Sequence, residues 1–376
     1  MLTTILSILV ALLILSVLIV AHEFGHFIAA KKAGIWVEEF GIGLPPRVFG
    51  KKIGETIYSV NLLPFGGFVR LHGEVDKDIK KPSRAYVKKS KKARVAIAIA
   101  GILANFLIAI ICFSLVYAIG GIPETLSGVK VLEVDAGSPA EMAGIKPDDL
   151  IVKVADQDIN NSDQFIEFVN AAKGQKTTLE IKRLSPEEKV MQVSLRPRED
   201  PPEGEGALGV TIDVNTVVQV NYPPVWQRPF VGLYYGVRET YLISKAVVVG
   251  IASIFIDISE GQAPEGVVGP LGITALIAYV VQLGFLPLLN FVGLISVNLA
   301  LINIIPFPPM DGSRVVFITS EALFGRKVLP KVESVVNTIG IILLILLLIT
   351  LTFREVPQAF RAGSLNGFIE SIIPVQ

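Results

Sequence analysis

The sequence predicts a polytopic α-helical membrane protein of four transmembrane helices. A membrane-associated β-hairpin or small sheet lies on its cytoplasmic side, and an α+β domain is inserted between the second and third spans. Three observations lead there. First, 51% of the 376 residues are hydrophobic and only 18% charged, against about 25% charged in ordinary soluble domains. The missing charge is absent in blocks, Met1–Ala21, Val95–Pro123, Gly266–Met310 and Ser334–Phe353, and about 20 apolar residues cross a hydrocarbon core. Second, residues 31–94 hold 15 Lys/Arg against six acids, which places that loop in the cytoplasm. Third, the charge-rich stretch Glu124–Glu205 separates two blocks. This composition excludes a disordered chain. Equal counts of 34 basic and 34 acidic residues give no reason to expect nucleic acid. The single cysteine, Cys112, offers neither a disulfide framework nor a thiolate metal site.

Taken in order, the first span covers about 4–30. Its start lacks a basic flank and exceeds the usual apolar stretch of a signal peptide, so it is expected to be retained. In the loop 34–94, Thr56–Leu62 alternates at period two and is closed by Pro64-Phe65-Gly66-Gly67, a strand-and-turn signature. The run Lys88–Arg94 marks the cytoplasmic end of the second span, about 95–119. Strands are expected at Val129–Val134, Leu150–Val154, Thr178–Arg183 and Val190–Leu195, with a helix at Ser162–Ala172. The phrase Gly137-Ser138-Pro139-Ala140-Glu141-Met142-Ala143-Gly144-Ile145 and its continuation to Ile151 resembles PDZ domains of bacterial membrane and periplasmic proteases. Such domains add a peptide to a sheet edge.

Residues 226–283 are apolar but carry Arg238, Glu239 and Lys245. They are expected to be interfacial or re-entrant, because one more crossing at 230–256 would put Asp311 on the wrong face. Gly284 and Pro287 precede a third span at about 285–306, and the last covers about 333–353. The expected division is therefore 1–121 for the N-terminal membrane part, 122–215 for the PDZ domain and 216–376 for the C-terminal membrane part. Both termini and the PDZ domain then lie on the extracytoplasmic side. Trp36 and Trp226 read as interfacial aromatics.

His22-Glu23-Phe24-Gly25-His26 sits at the late end of the first span, where ionisable groups are functional suspects. Residues four apart share a helix face, so His22 and His26 can reach one tetrahedral ion with Glu23 beside it as general base. A hydrolytic zinc site needs a third protein ligand and leaves a fourth position for water. His72 has no partner motif. The better candidate is Asp311, after the proline-broken Asn303-Ile304-Ile305-Pro306-Phe307-Pro308-Pro309-Met310 segment, since irregular backbone at membrane depth is tolerated where it is buried in protein or lines a cavity.

HEFGH on the first span, a PDZ-like insert after the second and Asn-x-x-Pro-x-Pro-x-x-Asp-Gly closing the third resemble the bacterial site-2 protease family, RseP type. These are intramembrane zinc metalloproteases. Gly41-Ile42-Gly43, Tyr58–Gly67 and Gly269–Ile273 extend the resemblance over nearly the whole chain. It implies one catalytic Zn2+ held by His22, His26 and Asp311, Glu23 as base, and Asn303 near the substrate. It implies substrates that are single-span membrane proteins, such as anti-sigma factors or remnant signal peptides, and a bacterial cytoplasmic membrane location with the active site near the cytoplasmic face. The chain departs from the enterobacterial pattern in having one PDZ-like segment rather than two, and Met310 where Leu is usual.

Because a substrate helix must be unwound before its amide can react, the strand residues Ile57, Tyr58, Ser59, Val60 and Asn61 are expected to hold the extended segment by β-augmentation. Besides substrate and lipid, a peptide ligand of the PDZ domain is an expected partner. The competing reading is a PDZ-containing adaptor with a structural zinc site, which has no use for Glu23. A zinc transporter would need polar residues along several spans.

Overall fold

The computed structural model describes residues 2–74, 81–183, 189–202, 204–213, 218–260, 268–325 and 330–372. In chain order the membrane elements before the insert are α1 (Leu2–Lys32), β1 (Val37–Ile53), β2 (Thr56–Leu71) and α2 (Lys91–Gly120). The insert holds β3 (Ile122–Thr125), β4 (Val129–Val134), α3 (Pro139–Met142), β5 (Leu150–Val154), β6 (Gln157–Asp158), α4 (Ser162–Ala171), β7 (Thr177–Arg183), β8 (Lys189–Leu195), β9 (Val210–Ile212) and β10 (Val218–Asn221). After it come α5 (Arg228–Ser259), α6 (Pro270–Leu283), α7 (Phe285–Ile304), α8 (Asp311–Phe324), α9 (Pro330–Ala362) and α10 (Leu365–Ile372). Two compact units result, Met1–Gly120 with Pro224–Gln376, and Gly121–Pro223.

Among the described residues four helices are long and apolar enough to cross a membrane: Leu9–Lys32, Lys91–Gly120, Phe285–Ile304 and Val335–Ala362. They coincide with the four expected spans. Helix α2 is the hub, in contact with α1, α5, α7 and α8. Its approach to α1 depends on Gly25, where an added Cβ would stand on the Ala100 carbonyl. On its other side Ala109 and Phe113 form a buried cluster with Val297, and Ile243 and Leu301 pack on it.

Helix α5 is unbroken over 32 residues and runs antiparallel to α2, from Gly232 against Ala118 to Ile243 against the Phe113 cluster. The re-entrant turn expected within 226–259 is absent. Of the three charges on this helix, Glu239 accepts from the Tyr117 hydroxyl at 3.0 Å. Residues 261–267 of the expected interfacial segment lie outside the described residues, and the short apolar α6 follows them.

β1 and β2 each fold into two passes. Residues 37–42 have 67–71 on one side, with Glu39 opposite Arg70 and Ile42 opposite Gly67, and 57–60 on the other, with Glu39 beside Ile57 and Ile42 beside Val60. Residues 47–53 take the far side of 57–61, with Arg47 opposite Asn61 and Lys52 opposite Ile57. The order across the sheet is therefore 47–53, 56–61, 37–42, 67–71. An aromatic face of Phe40 and Tyr58 packs on Phe27 of α1.

In the insert the sheet order is β8-β7-β5-β4-β9, with β6 beside β5. Its core includes Val131, Ile151, Phe165, Leu179, Ile181 and Leu208. Alternation places Thr177, Leu179 and Ile181 inward along β7. Helix α4 starts at Asn161, whose Oδ1 accepts from Gln164 N at 2.8 Å while Gln164 Oε1 accepts from Asn160 N at 3.0 Å. Asn161 is thus the N-cap, and Gln164 reaches back one residue beyond it. Arg183 grips the buried Asp149 with two hydrogen bonds of 2.7 and 2.6 Å, and the carboxylate pushes the guanidinium pKa up. The four expected strands and the helix are present within one residue at each end. The expected boundary at 215 lies outside the described residues, and the unit itself runs to Pro223 because β10 pairs with β3.

Candidate metal centre

His22 and His26 stand one above the other on α1, as their spacing requires, with rings edge-to-face at 4.7 Å. Asp311 is brought to them from 289 residues away at the first position of α8. Helix α7 ends at Ile304, the chain tightens through bonds from Phe307 N to Ile305 O and from Met310 N to Phe307 O, and α8 starts afresh. All three side chains are buried.

Asp311 Oδ2 lies 2.9 Å from His22 Nε2 and 3.0 Å from His26 Nε2, and the two Nε2 atoms are 3.1 Å apart. His26 Nδ1 donates to the Ile97 carbonyl at 2.7 Å, which in the neutral ring leaves the Nε2 lone pair facing the other two atoms. Three ligand atoms so placed can hold one cation between them. Three ligands of a tetrahedral zinc bound at about 2.0–2.1 Å stand about 3.3 Å apart, close to the observed separations of 2.9–3.1 Å. The N, N, O donor set is that of hydrolytic zinc sites.

The surroundings fit as well. Asn105 of α2 lies 3.3 Å from His22 Nδ1, and its buried Oδ1 has no partner. With the amide turned so that Oδ1 faces the ring, Nδ1–H donates to it, and both histidines then present Nε2 to the metal with Nδ1 held from behind. Gly101 is the floor of the site. An added Cβ there would lie 2.5 Å from His26 Nε2 and 2.7 Å from His22 Nε2.

Sequence reasoning missed Gly101 and Asn105. Their signal was a Gly-x-x-x-Asn pair on one face of an uncharged span, where a lone amide needs a reason. Glu23 is half-buried beside the cluster, and among the described residues its carboxylate makes no hydrogen bond. Asn303, in the last turn of α7, is half-buried and likewise makes none, whereas Asn298 bonds Leu294 O at 2.9 Å.

The expected substrate strand is corrected. Ile57, Tyr58, Ser59 and Val60 have neighbours on both sides, and Asn61 donates to the carbonyls of Ile42 and Gly43 at 3.1 and 3.2 Å. Ser59 Oγ donates to the buried Glu39, which also holds Arg47. Tyr58 packs on Phe27. These residues build the sheet and offer no open edge. Among the described residues the sides without a strand are those of 47–53 and 67–71. The latter starts beside the ligand helix, for Gly67 lies against Val20.

The profile described as Peptidase family M50 matches residues 10–347. The chain belongs to peptidase family M50. A Clostridium perfringens protein named as a zinc metalloprotease is 33% identical over 353 residues, covering 92% of this chain and 97% of its own. The zinc metalloprotease RasP of Oceanobacillus iheyensis is 27% identical, with 93% and 98% covered. Among solved structures, the PDZ domain of an SdrC-like protein from Listeria monocytogenes is 23% identical, covering 24% of this chain and 90% of its own, at a TM-score of 0.21. This M50 chain is a multi-pass zinc metallopeptidase.

Proposed function

We propose that this peptidase is an intramembrane zinc endopeptidase of the site-2 type. It would cut single-span membrane proteins, such as anti-sigma factors or remnant signal peptides, after another protease has removed their outer part. The observation that carries the reading is the convergence of His22, His26 and Asp311 at the end of an apolar helix, with Glu23, half-buried, next to His22 in the chain. A structural zinc site in an adaptor would leave Glu23 without a task.

In this reading His22 Nε2, His26 Nε2 and Asp311 Oδ2 hold the ion. Bound zinc supplies a lowered pKa for a coordinated water, about 7, and polarises a carbonyl. Glu23 takes the proton from the attacking water at its carboxylate and hands it to the departing amide nitrogen as the C–N bond breaks, giving a carboxylate and an amine. Ile97 and Asn105 keep both imidazoles in the required tautomer.

A transmembrane helix satisfies every peptide group internally, so the scissile bond must first be drawn out as an extended segment. The open edge of 67–71 is the place for it, and the Asn303 amide is free to bond the exposed backbone. The 15 basic residues of 31–94 argue for a cytoplasmic sheet and metal centre. The insert, which we infer to be a PDZ domain from its Gly137–Ile151 phrase and its five-strand order, then lies outside as a filter or docking site.

The test compares zinc-loaded wild type with Glu23→Gln on a truncated single-span substrate in detergent, with products read by mass. Cleavage by wild type alone supports the reading, and equal cleavage by both contradicts it.

A further inference from the structure

The open strand 67–71 is held at both ends beside the stretch of chain that carries His22 and His26. At its start, Gly66 and Gly67 lie against Ile19 and Val20 of α1. At its end, Leu71 packs with Ala30 and Ile35, so the strand runs past the His22–His26 stretch. The turn beyond it is fixed by His72 N donating to Trp36 O at 3.0 Å and Glu74 N to Leu71 O at 3.2 Å. From this turn the Glu74 carboxylate meets Arg314 Nη1 at 2.7 Å. Arg314 stands three residues after Asp311 on the same face of α8. One ion pair therefore joins the end of the open strand to the helix that begins with Asp311. The far end of α8 is held independently, by Arg94 to Glu321 at 2.5 Å and Lys91 Nζ to Glu321 O at 2.9 Å.

We propose that the Glu74–Arg314 pair is a positioning device that fixes the open strand against the metal centre and so selects which peptide bond of a bound segment reaches Glu23. The proposal rests on the endopeptidase reading above. An extended segment can pair with a strand in several registers, and a shift of two residues moves the bond presented by roughly 7 Å. Side-chain alternation cannot distinguish such registers, because a two-residue shift restores the same face. A fixed distance between strand and base can. The pair is suited to this and poorly suited to holding the fold, since its side chains are 35% and 17% exposed and partly exposed pairs contribute little to stability.

The test uses the full chain, zinc-loaded in detergent, and a single-span substrate whose products are mapped by mass. Arg314→Gln and Glu74→Gln should each keep zinc content and the thermal transition. Both should lower kcat by about tenfold to a hundredfold, the effect of a displacement near 1 Å, and spread cleavage over neighbouring bonds. Arg314→Lys, which keeps the charge, should retain the single product. A wild-type product pattern in both Gln variants would overturn the proposal. So would scattered or slowed cleavage in Arg314→Gln but not in Glu74→Gln, since Arg314 would then act by its charge on Glu23 alone. Loss of zinc in either variant would also overturn it, because the pair would be holding the metal centre. Failure of the underlying reading shows separately, as cleavage by wild type that does not depend on Glu23.

Discussion

The metal centre and the sheet beside it use their polar groups in opposite ways. At the metal centre three buried polar groups are aimed at one point. Two imidazoles and a carboxylate converge within 3.1 Å, and each ring is anchored from behind by Ile97 or Asn105. In the sheet the buried polar groups face one another. Glu39 is closed by Arg47 and Ser59, and Asn61 by two carbonyls, while among the described residues no strand pairs with the outer sides of 47–53 and 67–71. Convergent imidazole and carboxylate groups can share one cation. Mutually satisfied groups make a scaffold whose use lies at its edges.

The largest expected effects break the convergence. His22→Ala, His26→Ala and Asp311→Ala should each lose zinc and all measurable cleavage. Glu23→Gln should keep zinc and lose about 10²–10⁴ in rate. Next come the supports. Gly101→Ala forces a methyl onto both rings, an overpacking of about 1–3 kcal/mol, and should weaken zinc binding with little change elsewhere. Asn105→Ala should weaken it by about 10–100-fold, read by competition with a chelator of known affinity.

A proline scan sharpens the other half of the comparison. Within 57–60 proline should destabilise the fold at every position, because both sides of that strand are bonded. Along 67–70 it should alternate. Positions whose N–H points outward should keep the thermal transition and lose cleavage, and those pointing inward should unfold. Uniform behaviour along both strands would remove the distinction between scaffold and edge.

The smallest effect concerns the β1–β2 turn. Glu55 is held to about 2 by the Arg84 guanidinium, well below its ordinary value near 4.5. That support is complete above the ordinary value and is lost as pH falls through the folded one. The thermal transitions of wild type and Glu55→Gln should therefore converge between about pH 4.5 and 2.

Local spacing made the two histidines and Glu23 legible, because a helix turns positions four apart into neighbours regardless of the rest of the fold. Asp311 was legible for a different reason: it is the first charge after a 45-residue uncharged block that ends in prolines. Gly101 and Asn105 went unread since neither carries a charge or a motif, and only packing against α1 gives them a role. The sheet was half legible. Alternation marked Thr56–Leu62 as a strand, but its partners come from the register of two strands that each double back, and no local pattern says which passes end up inside. Likewise, no local pattern pairs Glu239 with Tyr117, because that hydrogen bond exists only where α5 packs on α2.

Zinc content per chain in purified His22→Ala, His26→Ala, Asp311→Ala and Glu23→Gln tests the central claim most directly. The account predicts one zinc in Glu23→Gln and close to none in the other three. A full zinc complement in Asp311→Ala would contradict it, because the third ligand would then have to come from another residue.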